Sequence, residues 1–151
     1  MKTIHIAAAL ILRGNGETLL VRKRGTTAFM QPGGKIEKDE SALSALIREL
    51  REEIGLVVEP KDLASFGCFE ARAVNEPDHR VVAEVFRLDV GEDDIRPTAE
   101  IEEVRWVCAF VPGEITMAPL TGEKILPAFR ENQSVMPVDP SRRTCRLREL
   151  P

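Results

Sequence analysis

Residues 41–54, SALSALIRELREEI, constrain the fold more than any other stretch of the chain. At about 100° per residue, Leu43, Leu46, Ile47, Leu50 and Ile54 fall on one stripe, the spacing of a helix packed on a core. Asp39 or Ser41 can cap its start, and Gly55 stands where a left-handed C-terminal cap belongs. Glu49, Glu52 and Glu53 occupy a different face, beside the small Ala42 and Ala45. At i, i+3 and i+4 their carboxylates project together. Like charges at that spacing repel, so a helix shaped by stability alone would set acids against bases. A divalent cation relieves the repulsion. An all-oxygen ligand set selects a hard ion, Mg2+ with Mn2+ as a substitute, over zinc. Taken alone, E-x-x-E-E also fits a solvated acidic face.

The residues upstream decide between the two. Five residues separate Gly34 from Glu40, and seven separate Glu40 from Arg48-Glu49. Leu50, Arg51, Glu52, Glu53, Ile54, Gly55 and Leu56 follow. Gly34–Leu56 thus reads G-x5-E-x7-R-E-U-x-E-E-x-G-U, with U apolar. At every specified position it resembles the signature box of the Nudix hydrolases. The elements also have physical reasons. Gly33-Gly34 can turn sharply and expose a backbone carbonyl, a further hard ligand. Glu40, just ahead of the helix, can pair with Arg48.

The resemblance implies a Nudix fold, an α/β/α sandwich with a mixed β-sheet, over residues 1–131. It implies a Mg2+-dependent pyrophosphohydrolase that cleaves a diphosphate linkage in a nucleoside diphosphate derivative, a (d)NTP going to NMP and pyrophosphate. By the same resemblance Glu49, Glu52, Glu53 and the Gly33 carbonyl are the metal ligands, and Glu40 and Arg48 orient the helix. The general base is either a ligand glutamate, Glu52 or Glu53, or an acid from a later loop. Glu100 is the loop candidate, with Glu102 and Glu103 as neighbours. Lys35, Arg22 and Lys23 are candidate phosphate contacts, with Arg24 beside them. Trp106 reads as core rather than as a base-stacking platform.

Markers of narrower substrate groups are missing. The chain has no tyrosine, where family members acting on dinucleoside polyphosphates carry one. Ala71 and Arg72 stand where ADP-ribose-cleaving members carry a proline. Leu120, Thr121 and Gly122 stand where 8-oxoguanine-specific members carry an asparagine. The alternative is a non-hydrolytic nucleotide-sensing module on the same fold, but family members that have abandoned hydrolysis usually degrade the box glutamates. Analogy with the family leaves a homodimer open.

The flanks fit one domain of 151 residues. Strands are expected at 3–12, 18–24, 63–72, 80–90 and 103–108, the first two as a hairpin across Gly14-Asn15-Gly16. Pro32-Gly33-Gly34 is expected to break regular structure. A second helix over 121–131 is put in doubt by Pro127. From Asn132 a tail with Arg142, Arg143, Arg146 and Arg148 reads as loosely attached. The net charge of −4 argues against a nucleic-acid partner. No stretch is long enough to span a membrane, and Ile4–Leu12 reads as a buried strand rather than a signal peptide. Cys68, Cys108 and Cys145 read as reduced thiols of a cytoplasmic protein.

Overall fold

The apolar run after Lys2 forms β1 (Lys2–Arg13). Side chains of a strand alternate between faces, so β1 feeds two cores at once. Ala7, Ala9 and Ile11 enter one, and Ala8, Leu10 and Leu12 the other. Burial on both faces explains why the sequence here is continuously apolar rather than alternating.

The computed structural model describes residues 1–74, 76–91 and 95–135. β2 (Glu17–Lys23) returns antiparallel to β1 with Leu12 opposite Thr18, the expected hairpin. β4 (Ala64–Arg72), β5 (His79–Val90) and β6 (Ile101–Cys108) complete the expected strands. The sheet runs β4-β5-β1-β2-β6. β5 pairs parallel with all of β1, from Lys2 opposite His79 to Arg13 opposite Val90. β4 on β5 and β6 on β2 are antiparallel, so the sheet is mixed.

The Gly-Gly segment departs from expectation. Gly33–Lys35 forms a short strand, β3, antiparallel to Ile6–Ala8 of β1. A Cβ on Gly33 would lie 2.1 Å from the Ala7 carbonyl oxygen, so only glycine allows this approach. The glycines admit the backbone to the sheet rather than breaking it.

α1 (Ala42–Ile54) buries Leu46, Leu50 and Ile54 in the first core, with Leu43 and Ile47 half-buried against it. Ser41, not Asp39, is the cap, accepting from the Ser44 N–H at 3.1 Å. Gly55 ends the helix in the left-handed conformation, φ 67°. On the other face a π-helical turn (Leu120–Ile125) runs into α2 (Leu126–Val135). Pro127 stands in a helix that continues directly from the π-helical turn. Ile125, Leu126 and Phe129 fill the second core. Helices thus cover both faces, the expected α/β/α sandwich.

Cys68 is a free, exposed thiol. Cys108 is buried at the end of β6. Cys145 and the basic stretch of the tail lie outside the described residues. Among the described residues no helix is long and apolar enough to cross a membrane.

Candidate active site

The site forms where α1 lies against β3. Glu53 is 3% exposed and stands at the edge of the apolar stripe of α1. Its Oε1 accepts from the Gly33 N–H at 3.1 Å, and Lys23 Nζ stands 3.6 Å from its Oε2. Burial pushes the Glu53 carboxyl up to about 7, Lys23 and the Gly33 N–H hold it back, and neighbouring Glu49 adds to the rise. Glu49, one turn earlier, faces Gly34. A Cβ on Gly34 would lie 2.5 Å from the Glu49 carboxyl carbon, so the second glycine leaves room for a carboxylate. Glu52 points outward, its side chain 63% exposed.

Arg48 ties these parts together. Its Nε and Nη2 each donate to the Glu40 carboxylate at 2.9 Å, a two-point pairing that fixes both groups. Nη2 also reaches the Lys35 carbonyl at 3.3 Å. Nη1 donates to Glu49 at 2.8 Å and stands 3.6 Å from Glu52. One guanidinium thus joins the loop, β3 and two helix carboxylates. Hydrogen bonds from Arg48 and from the Glu37 N–H hold the Glu40 carboxyl down at about 2.

The donor set suits a hard divalent cation: carboxylates on one helix face, the most buried with only a lysine as counter-charge. As the side chains stand, no three acidic, His or Cys groups among the described residues converge as a closed ligand set. The carboxylates are spread instead onto Lys23, Gly33 and Arg48, which supply the positive charge and donors that separate them.

A cleft of about 200 Å³ opens beside the site on the α2 face of the sheet. Lys23, Gly33 and Gly34 line its carboxylate end, Lys35 and Arg72 add charge, and Ile6 is part of an apolar wall. Lys35 pairs with Glu76 at 3.8 Å. Of the other candidates, Arg22 is turned to the Thr26 carbonyl at 2.9 Å and to Glu103 at 3.4 Å. Glu102 pairs with Arg24 at 3.0 Å, and the Arg105 guanidinium holds the Glu103 carboxyl below its usual range. Glu100 is exposed, and its carbonyl accepts from the Arg24 N–H. Its loop lies against the end of α1: Thr98 N–H donates to the Glu53 carbonyl at 3.0 Å, and Arg96 N–H to that of Ile54 at 2.7 Å. Trp106 is half-buried against the first core under the Arg13 guanidinium, 4.1 Å from the ring centre.

The sequence reasoning missed two features. One is the inward turn of Glu53 onto Lys23. The other is Gln31, buried with Thr121 at the cleft. Its only signal in the sequence is an amide standing before Pro-Gly-Gly among apolar residues.

A mixed sheet between two helical layers, with a glutamate-bearing helix held against a Gly-Gly strand, defines the class of protein. A profile of the Nudix domain matches residues 2–129, and the chain belongs to the Nudix family. It is 35% identical over 86 residues to the 8-oxo-dGTP diphosphatase of Escherichia coli K12, covering 54% of this chain and 62% of that one. It is 41% identical over 59 residues to the RNA pyrophosphohydrolase of Halorhodospira halophila, covering 39% and 32%. These matches span less than two thirds of either relative. The crystal structure of the MutT protein from Methanosarcina mazei Go1 superposes with a TM-score of 0.69 at 29% identity, over 87% of this chain and 96% of that one. A MutT/nudix family protein from Enterococcus faecalis shares the fold, with a TM-score of 0.73 at 20% identity over 97% of this chain and 68% of that one.

Proposed function

We propose that the protein is a divalent-metal-dependent pyrophosphohydrolase that converts a nucleoside triphosphate, or a related nucleoside diphosphate derivative, to a nucleoside monophosphate and a phosphate leaving group. The observation that carries this is the buried Glu53 carboxylate beside Glu49, whose partners Lys23 and Gly33 line the adjoining cleft. Relatives named for 8-oxo-dGTP, CTP and ADP-ribose support the reaction class and differ in substrate.

Glu49, Glu52, Glu53 and the Gly33 carbonyl would hold the Mg2+, which supplies neutralisation of phosphate oxygens and a more acidic water. Lys23 and Lys35 bring fixed positive charge to the phosphates. The apolar wall takes the base and excludes water. Water oxygen bonds to phosphorus, the bridging P–O bond breaks with its electron pair leaving on the departing phosphate, and the proton passes to a carboxylate. The candidate acceptors are a ligand glutamate, Glu52 or Glu53, or the loop residue Glu100; the exposure of Glu52 and Glu100 supports these two. Arg48 and Glu40 keep α1 at its height above β3.

A pyrophosphohydrolase screen with Mg2+ tests the reading. It would include canonical and oxidised dNTPs, ADP-ribose, NADH, dinucleoside polyphosphates and capped RNA, with Glu53→Gln alongside. Expected is turnover of one class, lowered by several orders of magnitude in Glu53→Gln, with the melting temperature held because a buried charge is removed. A near-wild-type rate in that variant sinks the assignment, as does silence of folded, Mg2+-binding protein across the panel.

A further inference from the structure

Gln31 is 6% exposed and borders the cleft. Its Oε1 accepts from the Thr121 hydroxyl at 2.7 Å, and Thr121 is itself fully buried. Its Nε2, itself buried, has no hydrogen-bond partner among the described residues. A buried amide donor left unpaired is destabilising, and such groups are rare in native proteins without a role. An apolar residue of the same size would suit the neighbouring Met30, Ala118 and Leu120 better. In the structure the Thr121 hydroxyl engages the amide oxygen and the nitrogen is left over. The π-helical turn that carries Thr121 also places Leu120 in the cleft wall, and π-turns often mark functional positions.

We infer that Gln31, oriented by Thr121, reads the base of the substrate by donating its free amide N–H to a ring carbonyl oxygen. The inference rests on the nucleotide-cleaving reading and narrows its substrate class. Phosphate oxygens carry charge and belong with Lys23 and Lys35. A neutral amide in an apolar wall suits a neutral acceptor, and a base carbonyl is one. Bases with an oxo group at the recognition edge (guanine, hypoxanthine, uracil, thymine) satisfy the donor. Adenine and cytosine present an amino group in the same place and would set donor against donor. Sites built to hydrogen-bond one group discriminate strongly against its replacement, because the buried partner is left unpaired.

The test uses two matched pairs, dITP against dATP and dUTP against dCTP, which differ at that edge by oxo against amino. kcat/KM is measured with Mg2+, and Kd is measured in the Glu53→Gln background, where turnover is blocked. The wild type should favour the oxo member of each pair by about tenfold to hundredfold. Gln31→Leu should bring each pair to parity by weakening the oxo member. Thr121→Val, which frees the amide to turn over, should also erode the preference. Gln31→Glu, which places an acceptor there, should favour the amino members. Equal losses across all four nucleotides in Gln31→Leu would assign the residue to packing or to the shared sugar-phosphate and overturn the inference. A wild-type preference for the amino members would overturn it as well. Discrimination in Kd without turnover would retain the base reading and reject hydrolysis, and no binding of any of the four would overturn both.

Discussion

At the scale of single residues, the two adjacent glycines should fail in different ways. Gly33→Ala drives a methyl into the Ala7 backbone, 2.1 Å away. That strand cannot yield cheaply, and a loss of about 3 kcal/mol by denaturant titration is expected. Gly34→Ala meets the end of a flexible side chain, the Glu49 carboxylate. It should cost less than about 1 kcal/mol yet lower kcat/KM sharply by displacing Glu49. Equal stabilities for the two variants would contradict the packing of β3. Glu40 gives a pH signature. Its carboxyl titrates at about 2 in the fold against about 4.3 in an unfolded chain. A lowered acid stabilises the fold above the unfolded value, and the benefit disappears as pH falls through the folded one. The gap in melting temperature between wild type and Glu40→Gln should be full at pH 7, narrow below about 4.3 and close near 2. A gap that does not change with pH would deny the ion pair its part. The box residues were legible because their spacing along one helix fixes a common face. The Glu53–Lys23 contact and Gln31 were not, since each depends on which strand end meets which side chain across the fold.

At the scale of elements, α1 carries the carboxylates but is held by the apolar stripe beside them. Leu50 is fully buried there, and Leu50→Ala should cost about 2–5 kcal/mol. It should also lower kcat/KM well below the melting transition, because α1 then loses its fixed height above β3. Unchanged activity at 25 °C would show that the Arg48–Glu40 pairing alone positions the helix. Period and punctuation revealed α1, its cap choices and the hairpin, as local pattern does when it agrees with burial. β3 was hidden because three residues with two glycines carry no strand propensity. Its place comes from the close approach to β1. Pro127 cast doubt on α2, yet the helix runs through it, directly after a π-helical turn that periodicity does not reveal.

At the scale of the whole molecule, both cores close with apolar side chains and neither needs an ion. Chelation by EDTA should abolish turnover while leaving a cooperative melt and an unchanged far-UV circular dichroism spectrum, and added Mg2+ should restore the rate. Collapse of the fold in EDTA would make the metal structural and sink this account. The α/β/α layering was legible because β1 is apolar throughout, the mark of a strand covered twice. The parallel pairing of β1 with β5 was not, since periodicity names strands without naming neighbours. That pairing has a consequence for how the chain comes into being. Lys2 pairs with His79 and Arg13 with Val90, so β1 waits for β5. Such distant partners make folding slow and leave an apolar edge uncovered meanwhile. A nascent chain ending before His79 holds the whole box and four of the six strands, but not the β5 that joins β4 to β1. The sheet under the site closes late, when β5 pairs along the length of β1.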